Sequence, residues 1–178
     1  MIASNHLKET LITAKQPIYG ITTGFGDSCK RQVSPEKTIG LQRILIHFLL
    51  NGVGSIANEE TTRANMLVRA NWLVKEHSGI RPIVVQQLIA YINRGILPFI
   101  LEKGSLGASG DLVPFRYIAL ALIGEGAVLY KKQIRNIKEG LSEEGLKPMT
   151  LEAEELALVA DVCTAKFETS INRYTEWS

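Results

Sequence analysis

Apolar residues crowd the segment Ser34 to Leu50 at Ile39, Leu41, Ile44, Leu45, Ile46, Phe48, Leu49 and Leu50. That pattern predicts a helix apolar on nearly every face, and therefore a buried one. Ser34 stands at its N-cap position and Pro35 at its first helical position. A second helix is expected over Asn58 to Lys75, with acidic residues in the first turn where the helix dipole favours them. Ile83 to Asn93 reads as a third, stopped by Gly95 and Pro98. A glycine-rich loop, Gly104 to Gly110, leads into a fourth, Val113 to Ile123, with Pro114 in its first turn. Ala127 to Asn136 alternates around Lys131-Lys132 and predicts a short hairpin. Leu151 to Phe167 carries a helical stripe at 156, 159, 160, 163 and 167, and the last residues lose the pattern. The fold class is mainly α with one short β-hairpin. These helices carry more apolar faces than one small bundle covers, the first helix and Tyr117 to Ile123 above all.

Composition narrows the classes of function. The 178 residues are 46% hydrophobic and 21% charged, which excludes disordered and fibrous classes. A net charge of +2, with no basic block longer than two residues, argues against nucleic acid or an anionic membrane as partner. Cys29 and Cys163 have no CxxC partner, and His6 and His77 lack ligands at metal spacing. No metal site and no disulfide framework is expected, and a reducing cytoplasm is the simplest home. No signal peptide and no membrane span is legible, since the longest apolar run, Tyr117 to Gly124, is far short of about 20 residues.

The informative segment is GSLGASGDLVP, Gly104 to Pro114. It lacks the Lys-Ser or Lys-Thr of a phosphate-binding loop. It has Asp111 where a hydrolase nucleophile elbow needs glycine, and the preceding ILEKGSL does not read as a strand. No βαβ alternation surrounds it, so a dinucleotide fingerprint also fails. What remains is Ala108-Ser109-Gly110, which has chemistry of its own. In a compressed turn the Gly110 nitrogen can attack the Ala108 carbonyl, because glycine leaves the approach open. Loss of water from Ser109 then leaves an exocyclic methylene. The product is 4-methylidene-imidazole-5-one (MIO), an electrophilic ring, and the positive end of the following helix points at the loop.

Here a resemblance enters. GSLGASGDLVP is similar to the signature of the aromatic amino acid ammonia-lyases and aminomutases that build MIO. YGITTGFGDS (Tyr19 to Ser28), LQRILIHFLLNGVG (Leu41 to Gly54), RANWLVKEHSGIRP (Arg69 to Pro82) and INRGILPFILEKGS resemble further family motifs in the family's order. A glycine-rich helix cap accounts for Gly104 and Gly107 but leaves these other motifs unexplained.

The resemblance implies an ammonia-lyase-like helical domain over 1–150 that bears the ring, and a divergent helix and tail over 151–178. It implies Ala108, Ser109 and Gly110 as ring precursors and Asp111 as orienting their loop, where it also suits an N-cap. Tyr19 matches the family's general base, a phenol that must ionise to abstract an unactivated proton. Gly26 and Leu106 complete the expected substrate-binding set, Gly26 with Gly24 by shaping the tyrosine loop. Phe48 and Leu49 fall where histidine-specific members resemble Ser-His and tyrosine-specific members His-Leu. Phenylalanine-specific members carry Phe-Leu, and an apolar wall strands a buried hydroxyl or imidazole. Periodicity alone makes Phe48 ordinary core, and His47 a packing or surface histidine.

Two departures stand out. Ala160 replaces the Asn of the family's LALxNGT-like segment, and the family's second tyrosine and carboxylate-gripping arginine have no counterpart here. The expected reaction is elimination of ammonia from phenylalanine to give trans-cinnamate, in a cytoplasmic homotetramer, with these 178 residues inactive alone. The rival expectations are an aminomutase and a non-catalytic helical module.

Overall fold

The structure is a computed structural model that describes residues 23, 30–75, 80–104 and 113–150. Helix α1 spans Pro35–Phe48, strand β1 Val53–Ile56, and helix α2 Glu59–Val74. Helix α3 follows over Pro82–Arg94, then the short strands β2 (Leu97–Pro98) and β3 (Leu101–Lys103). Helix α4 spans Val113–Leu122, strands β4 and β5 span Ala127–Tyr130 and Gln133–Asn136, and helix α5 spans Ile137–Glu143.

Local sequence sets these boundaries. The Asn58 side chain accepts a hydrogen bond from the Thr61 amide at 2.7 Å and so caps α2. Pro82 opens α3, and Gly95 closes it in the left-handed conformation at φ 67°. Gly95 and Ile96 donate their amides back to Ile92 and Tyr91, which satisfies two of the last carbonyls of the helix. Between these ends Val84, Val85, Leu88 and Tyr91 fall on one face, and all four are buried.

That face meets Met66, Ala70 and Leu73 of α2 on one side and α4 on the other. Full burial of a side chain such as Leu88 contributes roughly 2 kcal/mol. The Tyr91 hydroxyl, buried with its ring, donates to the Ala121 carbonyl at 3.3 Å and ties α3 to α4. Burial raises the Tyr91 pKa, against a smaller opposing effect of the Gln87 side chain.

Two small antiparallel sheets flank the helices. In one, β1 pairs with β3, Val53 opposite Lys103 and Ile56 opposite Leu101. In the other the order is β2-β4-β5, and the β4–β5 hairpin turns through Lys131-Lys132 as expected.

Three expectations need correction. Helix α1 is not buried all round: Ile46 is in the core, while Ile44 is 68% and Phe48 78% exposed. One face of α1 packs towards α4, and the opposite apolar face is left open. Helix α4 shows the reverse. Phe115 and Ile118 to Leu122 lie within the core, so Tyr117 to Ile123 does not present an open apolar face. Finally, Leu101–Lys103 is a strand, because β1 offers it an antiparallel edge that three residues cannot advertise by alternation. The nucleophile elbow is still excluded by Asp111. The helix expected over Leu151 to Phe167 lies outside the described residues.

Candidate functional site

The candidate site forms where α1, the α1–β1 connection and the start of α4 approach one another. Gly52 is the junction. A Cβ placed there would sit 2.7 Å from the Tyr117 hydroxyl and 2.9 Å from the Leu101 Cβ. Only glycine lets α4, β3 and this connection close so tightly. The Gly52 backbone donates a hydrogen bond to the Tyr117 hydroxyl. Partial burial raises the Tyr117 pKa, and the hydrogen bond pulls it the other way.

The glycine-rich segment leaves and re-enters the described structure at one point. A Cβ on Gly104 would lie 2.9 Å from the Cβ of Val113. Gly104 and Val113, the described residues that flank 105–112, are therefore close neighbours, and Val113 opens α4. The short span between these two flanking residues is compatible with the compressed turn that a ring made by attack of one backbone amide on a carbonyl two residues earlier needs.

Phe48 and Leu49 stand at the end of α1, Phe48 exposed and Leu49 half-buried. With Gly40, Arg43, Ile44 and His47, Phe48 lines an open, largely apolar hollow on α1. His47 is a surface residue here: its Nε2 lies 2.8 Å from Glu125, which also pairs with Arg43. These two contacts with Glu125 fasten α1 to the loop after α4. Beneath, the buried Arg69 guanidinium lies over the Phe115 ring, 5.4 Å from its centre. Arg116, next along α4, is also buried.

Of the catalytic and substrate-binding residues expected from sequence, Phe48 and Leu49 lie among the described residues. Tyr19, Gly24, Gly26, Leu106, Ala108, Ser109, Gly110, Asp111 and Ala160 lie outside the described residues. Sequence reading missed the Tyr117–Gly52 bond and the Glu125 anchor. The available signal was weak, a tyrosine in the otherwise apolar α4 and a glutamate just past its end. Among the described residues no group of acidic, histidine or cysteine side chains is arranged to hold a metal ion. No described helix is long and apolar enough to cross a membrane.

The sequence profile of the aromatic amino acid lyases matches residues 1–165, nearly the whole chain. The chain belongs to that family. A histidine ammonia-lyase of Streptococcus gordonii is 43% identical over 158 residues, which cover 88% of this chain and 31% of the relative. Among solved structures, the Pantoea agglomerans phenylalanine aminomutase superposes with a TM-score of 0.88 at 31% identity, over 98% of this chain and 33% of that one. The tyrosine aminomutase from Streptomyces globisporus does so with a TM-score of 0.81 at 37% identity, over 89% and 30%. The chain thus spans about a third of the length of the lyase-family proteins it matches. Family and mainly α fold agree with the reading of the motifs.

Proposed function

We propose that this chain is the ring-bearing portion of an aromatic L-amino acid ammonia-lyase acting on phenylalanine. The observation that carries the reading is the nearness of Gly104 to Val113, the described residues that flank the ASG segment, together with the exposure of Phe48 on α1. In this reading Ala108, Ser109 and Gly110 condense with loss of two waters, and Asp111 orients their loop. The resulting MIO supplies an electrophilic methylene that activates the substrate for loss of its amino group.

The remaining work belongs to side chains. Phe48 and Leu49 wall the aromatic ring, with Gly26 and Leu106 completing the pocket. An apolar wall favours phenyl over imidazole or phenol, whose polar atoms would be desolvated without partners. Tyr19 takes the β-proton as the amino group departs, which yields trans-cinnamate and ammonia. The arginine that grips the carboxylate and a second tyrosine come from chain beyond these residues, in a cytoplasmic homo-oligomer.

A second reading has its own support. The 43% identity to a histidine ammonia-lyase favours histidine as substrate and urocanate as product. The similarity to two aminomutases favours return of ammonia to the β-carbon. One experiment separates the three. The whole enzyme containing this chain is incubated with phenylalanine and with histidine, and products are followed by ultraviolet absorbance and chiral chromatography. Cinnamate without β-amino acid supports the proposal. Urocanate alone, or β-phenylalanine as the main product, overturns it.

A further inference from the structure

A second cleft lies against the hairpin, and the function proposed above does not account for it. It has a volume of about 270 Å³, and its charged lining is Arg63, Arg94, Lys131, Lys132, Glu59 and Glu144. The cations come from α2, from the end of α3 and from the β4–β5 turn, so the fold gathers them from three separate elements. Four cations face two carboxylates.

Two carboxylates against four cations leave the cleft with a net positive lining. Glu144 accepts a 2.5 Å hydrogen bond from the Tyr130 hydroxyl and lies 3.7 Å from Arg94. Arg63 is aimed by its own bond, Nη1 donating to the Ile92 carbonyl at 2.6 Å. Its other nitrogen, Nη2, lies 3.4 Å from where a Cβ on Gly95 would be. Nη2 thus lies beside Gly95, which also lines the cleft. Lys131 pairs with Glu143 at 2.9 Å, whereas Lys132 has no ion-pair partner among the described residues.

The backbone adds an independent observation. Lys131 and Lys132 adopt φ of 50° and 62°, both left-handed. A two-residue hairpin turn of this hand prefers Asn-Gly, and two lysines in it are strained. Strain of this kind persists where another role over-determines it. Here it sets two ammonium groups at the mouth of a cleft that already holds two guanidinium groups.

We propose that this cleft binds a small multivalent oxyanion, phosphate or a phosphate monoester, between Arg63, Arg94 and Lys132. Guanidinium forks suit tetrahedral oxyanions, and an ammonium adds a point charge.

The test uses the full chain and inorganic phosphate at constant ionic strength, with chloride as the balancing ion. Calorimetric titration and thermal unfolding are both read. Phosphate at ten times its half-saturating concentration should raise the folded-to-unfolded ratio about tenfold. Lys132→Ala should raise the half-saturating concentration roughly tenfold, the loss expected for one charge-assisted hydrogen bond. A second variant guards against a mere folding defect. Lys131→Asn with Lys132→Gly installs the preferred turn, so it should unfold at a higher temperature than the parent without phosphate and lose the phosphate response. Glycerol phosphate binding more tightly than free phosphate assigns the cleft to an ester, and weaker binding assigns it to the free ion. No phosphate effect beyond that of chloride, or a response retained by the double variant, overturns the proposal.

Discussion

The Tyr117 hydroxyl accepts a hydrogen bond from the Gly52 backbone, and this contact holds α4 against the connection that follows α1. A Cβ at Gly52 would intrude on both Tyr117 and Leu101. Gly52→Ala should therefore destabilise the chain by about 1–3 kcal/mol, the range for overpacking a tight site. Tyr117→Phe should cost about 1 kcal/mol, for one hydrogen bond. Combining them should recover part of the Gly52→Ala loss, since the hydroxyl clash goes while the Leu101 clash stays. Urea unfolding of the three variants checks this.

Helix α3 was legible because Val84, Val85, Leu88 and Tyr91 fall on one face between Pro82 and Gly95. The hairpin was legible from its alternation, although its turn holds two lysines in place of Asn-Gly. Strand β1 was not. Its Val-Gly-Ser-Ile is exposed at all four positions, so burial imposes no alternation on it. Periodicity also could not say which face of α1 is covered, because apolar residues on every face carry the same signal. Phe48 therefore read as core by period and as a pocket wall by family resemblance, and its exposure takes it out of the core. The Tyr117–Gly52 contact joins residues far apart in sequence, and no local pattern encodes it. Of the proposed site, the motif Ala108-Ser109-Gly110 was legible in the sequence, while the nearness of Gly104 to Val113 needed the fold.

Alkaline pH should destabilise the chain through Tyr91. Its pKa is raised from 10.0 by burial. In the unfolded chain it ionises at the ordinary value, so its contribution is fully present below pH 10 and is lost as pH rises through the folded value. Tyr91→Phe should lose some stability at neutral pH, where the bond to Ala121 goes. It should then show a shallower decline above pH 10 than the parent. Unfolding free energies from pH 7 to 11 test the sign.

Substrate preference should turn on Phe48. In the whole enzyme, Phe48→His should shift preference from phenylalanine towards tyrosine, because the imidazole can pair with the para-hydroxyl. The ratio of kcat/KM for the two substrates should move by at least roughly tenfold, as expected where a buried polar group gains its partner. An unchanged ratio would make Phe48 a packing residue.

The open face of α1 should drive self-association. Ile44 and Phe48 are 68% and 78% exposed and one helical turn apart. Apolar patches of this kind seek a partner surface. Light scattering at micromolar concentration should give a mass above that of a single chain, and Ile44→Lys should lower it towards one. The chain by itself should form no cinnamate from phenylalanine, because nothing in it grips and orients the carboxylate.

The intact mass of the purified chain tests the central claim most directly. If Ala108, Ser109 and Gly110 condense to the ring, the mass should fall below the sequence value by two waters. Ser109→Ala should abolish that loss while leaving the fold intact by circular dichroism. A full, unmodified mass for the parent chain, or a two-water loss that survives Ser109→Ala, would contradict the account.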